Sequence, residues 1–381
     1  MLALDLLLAA LVLLSIVHVL GGVVLVARFA GRRPRPLAGP APLVSVLRPV
    51  RGTDPDLDEA CTSVCVQDYP AYEVLFAVQD ANDPALPVLE RMRSRFPDRA
   101  RVVVDPAEHG ANAKTSNLIN ASRQARGDVL VWNDGRDRVP SRWLSTVVAE
   151  VLRGDHPLVT VLAVYREAAN IPAAVEAVSW NTDTLPWFLW QEALGGVDFA
   201  LGSTVALERS TLARIGGLES VADVLLEDYL LGKRASAAGV PIRFAPVRVD
   251  VLHRTDTWGN WWERQRRWLP AYCWTEPARY ALGALTFGPF WGLALAVLHP
   301  GSDLALSAFL APLYLRWCLA LWTDEVLVQD AATCRYSWLL PVRDVLYPFV
   351  WLGGFFGREF RWRGIDYRFL RGGRVERLTP R

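Results

Sequence analysis

The sequence predicts an α/β protein with a largely parallel sheet, flanked by apolar segments long enough to enter a membrane. Three observations carry that prediction. Between Leu43 and Asp134, four short apolar strand segments alternate with helical ones, the order that builds a parallel sheet. Hydrophobic residues make up 52% of the 381 residues, more than a soluble domain usually carries. The excess lies at the two ends of the chain. The formal net charge of +1 gives no general attraction to nucleic acid, and none is expected as a partner.

Residues 6–27 are apolar apart from Ser15 and His18, and are long enough to span a bilayer as a helix. The stretch has neither a basic start nor an A-x-A cleavage site, so residues 1–28 read as a retained anchor. Arg28, Arg32, Arg33 and Arg35 follow it and only Asp5 precedes it. The N-terminus is therefore expected outside and the residues after Arg28 in the cytoplasm. Residues 29–42, rich in proline, read as a linker.

A globular region is expected over 43–275. Its strand candidates are residues 44–47, 72–78, 101–104 and 128–132, with helices over 57–66, 86–96 and 116–124. Ligands of such sheets bind at the carboxyl ends of the strands, where Asp80 and Asp134 fall. Beyond Asp134 the pattern is mixed, with strands at 158–164, 199–206 and 242–251. Between the last two runs Val221-Ala-Asp-Val-Leu-Leu-Glu-Asp-Tyr-Leu230, read as the start of a helix closed by Gly239. Glu227 and Asp228 sit near its N-terminus, where the dipole favours negative charge. Capping and catalysis both explain an acidic pair there.

The five cysteines show no metal-ligand spacing; Cys61 and Cys65 share a helix face and read as core. Such a scattered, odd set fits a reducing compartment. Lys114 and Lys233 are the only lysines, an arginine bias that points to a GC-rich bacterial genome.

After the run Trp258-Gly-Asn-Trp-Trp-Glu-Arg-Gln-Arg-Arg-Trp268 come apolar stretches at 281–298, 304–322 and 338–356. The first two read as spans. The third carries Arg343, Asp344 and two prolines and reads as interfacial or re-entrant, which makes 276–356 a membrane region. The segment 357–381, with eight arginines against three acids, reads as a basic cytoplasmic tail. The expected location is multi-pass in a bacterial inner membrane, with the globular region cytoplasmic.

The side chains also predict chemistry. Asp80 would accept hydrogen bonds from a nucleobase or ribose, and Asp134 would face a divalent cation bridging two phosphates. Lys114 would offer a cation to phosphate, and Asp228 would take a proton from an attacking hydroxyl. Arg264, Arg267 and Trp268 would hold a diphosphate and a flat or apolar group. Together these describe transfer from a nucleoside-diphosphate donor. Trp180, Trp187 and Trp190 would line an acceptor groove, pack in the core or sit at headgroup level.

The sequence resembles glycosyltransferases of the ceramide glucosyltransferase type, a branch of the large inverting family that also holds cellulose and hyaluronan synthases. The likeness spans residues 43–373. It rests on Val44-Ser-Val-Leu-Arg-Pro-Val-Arg-Gly52, Gln67-Asp-Tyr-Pro70, Val78-Gln-Asp-Ala-Asn-Asp-Pro84 and His109-Gly-Ala-Asn-Ala-Lys-Thr-Ser-Asn-Leu118. It continues in Asn133-Asp-Gly-Arg-Asp-Arg-Val139, Leu226-Glu-Asp-Tyr229 and Arg264-Gln-Arg-Arg-Trp268.

The resemblance implies a GT-A nucleotide-sugar fold, a UDP-sugar donor, a lipid acceptor and a cytosolic active site on membrane helices. It also implies Asp80 at the uridine, Asp134 at the diphosphate and metal (Mg2+ or Mn2+), Asp228 as base, and Arg264, Arg267 and Trp268 as the (Q/R)xxRW motif. Many relatives carry D-x-D at the second position, where this chain has Asp134-Gly-Arg136. Either Asp137 stands in one residue late, or Arg136 reduces the need for metal. His253 is a further metal candidate, set against a structural role. Trp268, Trp187 and Trp190 are the acceptor candidates.

The leading expectation is glucose transfer from UDP-glucose to ceramide. The alternative is N-acetylglucosamine transfer to a hopanoid polyol. A processive polysaccharide synthase would need more spans, and a non-catalytic scaffold would not need the intact aspartate set.

Overall fold

In the computed structural model, which describes residues 2–362 and 364–378, the alternating segments form one eight-stranded sheet. Its strands are β1 (Val44–Pro49), β2 (Tyr72–Val78), β3 (Ala100–Val104), β4 (Val129–Trp132), β5 (Asp137–Arg138), β6 (Leu158–Arg166), β7 (Val205–Glu208) and β8 (Ile242–Leu252). They lie in the order β3-β2-β1-β4-β7-β6-β8-β5. The half from β3 to β4 is parallel, with Val44 opposite both Tyr72 and Val129. Every residue of β1, β2 and β4 is buried, as expected of strands covered on both faces. Beyond β4 the strands whose pairing is defined run antiparallel, so the sheet is mixed. Cys61 and Cys65 are buried on the helix Leu57–Cys65 as core residues.

Two local expectations shift. The strand expected over 199–206 starts only at Val205, because Leu201 and Thr204 bridge across a tight turn. The acidic helix is regular only over Glu227–Ala237, which puts Glu227 and Asp228 in its first turn. The preceding Leu218–Val221 is a short 3₁₀ turn.

The chain divides into two compact units. One is Arg32–Val164 with Gly195–Leu252, which holds most of the sheet. The other is Met1–Gly31, Tyr165–Leu194 and His253–Arg381. The second unit is mainly helical. Leu2–Ala30 is a single helix of 29 residues, about 43 Å at 1.5 Å per residue, longer than the roughly 30 Å hydrocarbon core. Asp303–Val328 is also long and apolar enough to cross a membrane. The helices Pro277–Thr286 and Gly288–Leu298 meet at a 59° bend and qualify only as one broken span. Gly292 lets Gly288–Leu298 approach Asp303–Thr323 closely: a Cβ there would lie 2.2 Å from the Ala308 carbonyl oxygen. The third apolar stretch forms the helix Leu339–Leu352, whose 14 residues reach about 21 Å, short of a bilayer core.

The basic segment after Gly357 is folded. Its strands β9 (Glu359–Trp362), β10 (Ile365–Phe369) and β11 (Val375–Arg377) form an antiparallel sheet around Phe360, Tyr367 and Phe369. Of the expected tail and anchor, Arg363, residues 379–381 and Met1 lie outside the described residues.

Candidate active site

In the sheet unit, β2 and β4 flank β1 and run parallel to it, so Asp80 and Asp134 emerge at the same edge, just past the carboxyl ends of their strands. With β1 between them, their strands lie two spacings, about 10 Å, apart. Asp80 is exposed and its Oδ1 accepts a hydrogen bond from the Asn82 N–H at 2.8 Å. Between them, the loop after β1 is tied down by buried Asp83, which accepts from the Gly52 N–H at 2.9 Å.

Asn112 caps the helix Ala113–Gln124, accepting from the N–H groups of Lys114 and Thr115. Its Nδ2 donates to Glu227 Oε2 at 3.1 Å and to the Val224 carbonyl at 2.8 Å. One amide thus joins the start of this helix to the start of the acidic one. The join sets Lys114 Nζ 2.6 Å from Glu227 Oε1 and 2.5 Å from Asp134 Oδ1. Asp228 completes the group. A Cβ on Gly202 would fall 2.9 Å from Asp228 Oδ2, 3.1 Å from Asp134 Oδ2 and 3.1 Å from Lys114 Nζ. Three charged groups therefore converge on a point that any larger residue would fill.

The electrostatics follow from this crowding. Burial raises the Asp228 pKa to about 7, helped by Glu227 and Asp134 and opposed by Lys114. Burial alone would lower the Lys114 pKa, but Asp134, Glu227 and Asp228 outweigh it and hold the ammonium well above the usual lysine range. Asp137 is buried on β5, and burial together with the Asp134 charge pushes its carboxyl well above the usual range.

In the helical unit, Arg264, Arg267 and Trp268 lie on the helix Trp258–Thr275. Arg264 is ion-paired with Asp256, with Glu176 3.8 Å away. His253 is buried, 3.3 Å from Asp256 and 3.4 Å from Arg264. Arg264 Nη2 is thus already engaged within its own unit, while its buried Nε meets Glu176 only at ion-pair distance. Arg267 lies over the rings of Trp268 and Trp362, at 5.3 and 5.6 Å. Trp268 stacks on Tyr272 and stays 36% exposed. Trp190 stacks on His18 of the N-terminal helix and donates to the His18 carbonyl oxygen at 2.9 Å. Trp187 packs on the same histidine at 5.9 Å. Both tryptophans serve as packing for that helix.

Residues 7–375 match the model of glycosyl transferase family 21. The chain belongs to that family. It is similar to ceramide glucosyltransferase 1 of Caenorhabditis elegans, 23% identical over 352 residues, 88% of this chain and 73% of that protein. Ceramide glucosyltransferase 3 of the same organism is 24% identical over 361 residues, 89% of this chain and 75% of that protein. Among solved structures, the mannosyltransferase PcManGT from Pyrobaculum calidifontis, in complex with GDP-Man and Mn2+, superposes with a TM-score of 0.51. It covers 92% of this chain and 98% of that chain, at 19% identity. This family 21 chain is a hexosyltransferase with a GT-A-type sheet.

The expected metal set does not assemble from protein groups alone. Among the described residues, no group of three His, Cys, Asp or Glu side chains is placed to hold a metal ion. His253 is turned to Asp256 and Arg264. Asp137 is held toward its protonated form, a poor ligand. Asp134, with its side chain 46% exposed, is the carboxylate of the Lys114 group open to solution. That donor set fits a cation whose remaining ligands come from donor phosphates and water, the usual habit of Mg2+. It does not fit an all-protein cage.

Asn112 and Gly202 are the participants that residue-by-residue reading left in the background, while Glu227, read beside Asp228, gains its partners Lys114 and Asn112 only in the fold. Glycine inside an apparent strand was the available signal for Gly202, since it marks a close approach or a bulge.

Proposed function

We propose that this family 21 hexosyltransferase moves glucose from UDP-glucose to a lipid hydroxyl, that of ceramide, at a membrane surface. The observation that carries the reading is the convergence of Asp228, Asp134 and Lys114 at Gly202, beside the strand end that carries Asp80. The similarity to two ceramide glucosyltransferases, over 88% and 89% of this chain and 73% and 75% of theirs, supports a lipid acceptor. The fold shared with a protein solved with GDP-Man and Mn2+ supports a nucleotide-sugar donor and a divalent cation.

In this reading Asp80 accepts from the nucleoside. Lys114 and Asp134 face the diphosphate, and a cation on Asp134 would help neutralise it when bound. Asp228 takes the proton of the acceptor hydroxyl as its oxygen bonds to the anomeric carbon. The bond from that carbon to the UDP oxygen breaks on the opposite side, and configuration inverts. A carboxyl with a pKa near 7 is matched to this work at neutral pH. Lys114 shifts from pairing with the carboxylates toward the oxygen that gains charge. Arg267 and Trp268 sit on a helix that leads toward the apolar segments and serve the donor phosphate and the acceptor. Arg264, clasped by Asp256, positions that helix. The protein is read as multi-pass, with the sheet unit cytoplasmic.

Incubation of purified protein with UDP-glucose and ceramide, followed by lipid mass spectrometry, tests the reading. Glucosylceramide is the expected product. Transfer from UDP-N-acetylglucosamine to a hopanoid polyol, with none to ceramide, would replace this acceptor and donor while keeping the site. Failure of both transfers and of donor hydrolysis would sink the catalytic reading.

A further inference from the structure

The helix Trp258–Thr275 has a second face. Trp262, Arg266 and Leu269, spaced i, i+4 and i+7, point away from the face that carries Arg264, Arg267 and Trp268. On that second side the chain passes from the helix Leu339–Leu352 into β9, pinned where Trp274 Nε1 donates to the Gly357 carbonyl at 2.9 Å. A cavity of about 730 Å³ opens between these segments, within the helical unit. That volume is typical of small-molecule sites.

Its lining is polarised. Trp262, Leu269, Val350 and Phe356 form an apolar wall, and Arg266, Arg358 and Arg368 supply cations. Trp262 is 49% and Phe356 83% exposed, a poor arrangement in water and a good one at an acyl boundary. Arg266 and Arg358 are lightly held, whereas Arg368 is engaged. Arg266 meets Glu263 at 3.4 Å in a solvent-exposed pair, and Arg368 bonds Glu359 at 2.8 and 3.1 Å and Glu376 at 3.4 Å. Among the described residues, Arg358 has the Trp274 ring, at 5.0 Å, and no carboxylate. Exposed pairs of this kind contribute little and exchange readily for a phosphate that two guanidinium forks can grip.

We infer that this groove binds one anionic glycerophospholipid, with its phosphate on Arg266 and Arg358 and its first acyl segment along Trp262 and Phe356. Arg358, which has no carboxylate partner among the described residues, favours an anionic over a neutral occupant. The site is separate from the transfer chemistry and would fix the orientation of the helical unit in an anionic leaflet.

Thermal unfolding of the full chain in neutral detergent, titrated with dioleoylphosphatidylglycerol or dioleoylphosphatidylcholine, reads this without using activity. Phosphatidylglycerol should stabilise at low concentration and phosphatidylcholine should not. In the double variant Arg266→Gln, Arg358→Gln, the half-saturating phosphatidylglycerol concentration should rise about 30-fold, from the usual contribution of two basic residues near an anionic surface. The Lys,Lys double variant should stay within a few-fold and guards against misfolding of the Gln pair. Equal shifts from the two lipids, or equal shifts in the Gln variant, would each overturn the proposal.

Discussion

Lys114 faces three carboxylates, Asp134, Glu227 and Asp228, whereas Arg316 and Arg343 share two, Asp183 and Asp344. The second group lies in the helical unit. Arg316 reaches Asp344 at 3.1 Å, Asp183 at 2.8 Å and the Thr182 carbonyl at 2.6 Å; Arg343 bonds Asp344 at 2.8 Å and Asp183, and lies over Tyr347. Two cations answer two anions, and the side chains of Arg316 and Asp344 are each 4% exposed. Such a network holds a helical assembly together and leaves nothing for a ligand. The Lys114 group is instead over-supplied with negative charge, and it is open to solvent at Asp134. Repulsion there is relieved by holding a proton on Asp228, or by a cation that arrives with substrate. Balance marks the structural cluster; imbalance marks the site built for chemistry.

Substitutions should separate the two. Asp228→Asn should lower turnover by roughly 10²–10⁴ while leaving UDP affinity within a few-fold, because it removes the base and keeps the shape. Steady-state kinetics beside calorimetry with UDP will decide; near-normal turnover would pass the role to Glu227. Arg316→Met should do the reverse. Leaving Asp183 and Asp344 short of a partner should destabilise the fold by about 3–5 kcal/mol, read as a lower unfolding temperature. Turnover per folded molecule should change little.

Asp80→Ala and Asp134→Ala should each weaken UDP binding by about tenfold, the usual effect of removing one charge-assisted hydrogen bond. Unchanged affinity in both would mean that the donor does not cross these strand ends.

The pH profile tests the imbalance directly. kcat/KM should rise with pH through about 7 as Asp228 ionises. Lys114→Met removes the cation that opposes the shift, so the acidic limb should move to higher pH even as activity falls. The same group affects stability with a defined sign. Asp228 ionises near 3.8 in an unperturbed chain and near 7 in the fold. The folded state therefore holds the extra proton between those values, and the contribution to stability is lost as pH rises through that window. The smallest effect is expected on the helix Trp258–Thr275. Trp268→Ala should reduce turnover with a lipid acceptor and leave membrane attachment intact.

Much of this was readable in the chain. β2, Tyr72–Val78, and the helix Leu57–Cys65 appear within a residue of their expected bounds, because apolar periodicity and the Asp68-Tyr-Pro70 stop are local signals. Asp80 and Asp134 were legible as strand-end acids for the same reason. Residues 199–206 misled, because a short run of apolar and β-branched residues resembles a strand whether or not the backbone turns at Gly202.

The sequence by itself determined the fold class, the apolar helices and the identity of the acidic and arginine-rich motifs, all of which depend on short-range pattern. The tertiary structure alone decided their states. Asn112 and Glu227, 115 positions apart in the chain, had to meet before Lys114 could be shared among three acids. Arg264 had to fold onto Asp256 and Glu176 before its Nη2 was engaged, and the arginine-rich end had to pair as β9–β11 before it was anything but a charged tail. Charge pairing and burial depend on distance in space, and no local spacing along the chain fixes that distance.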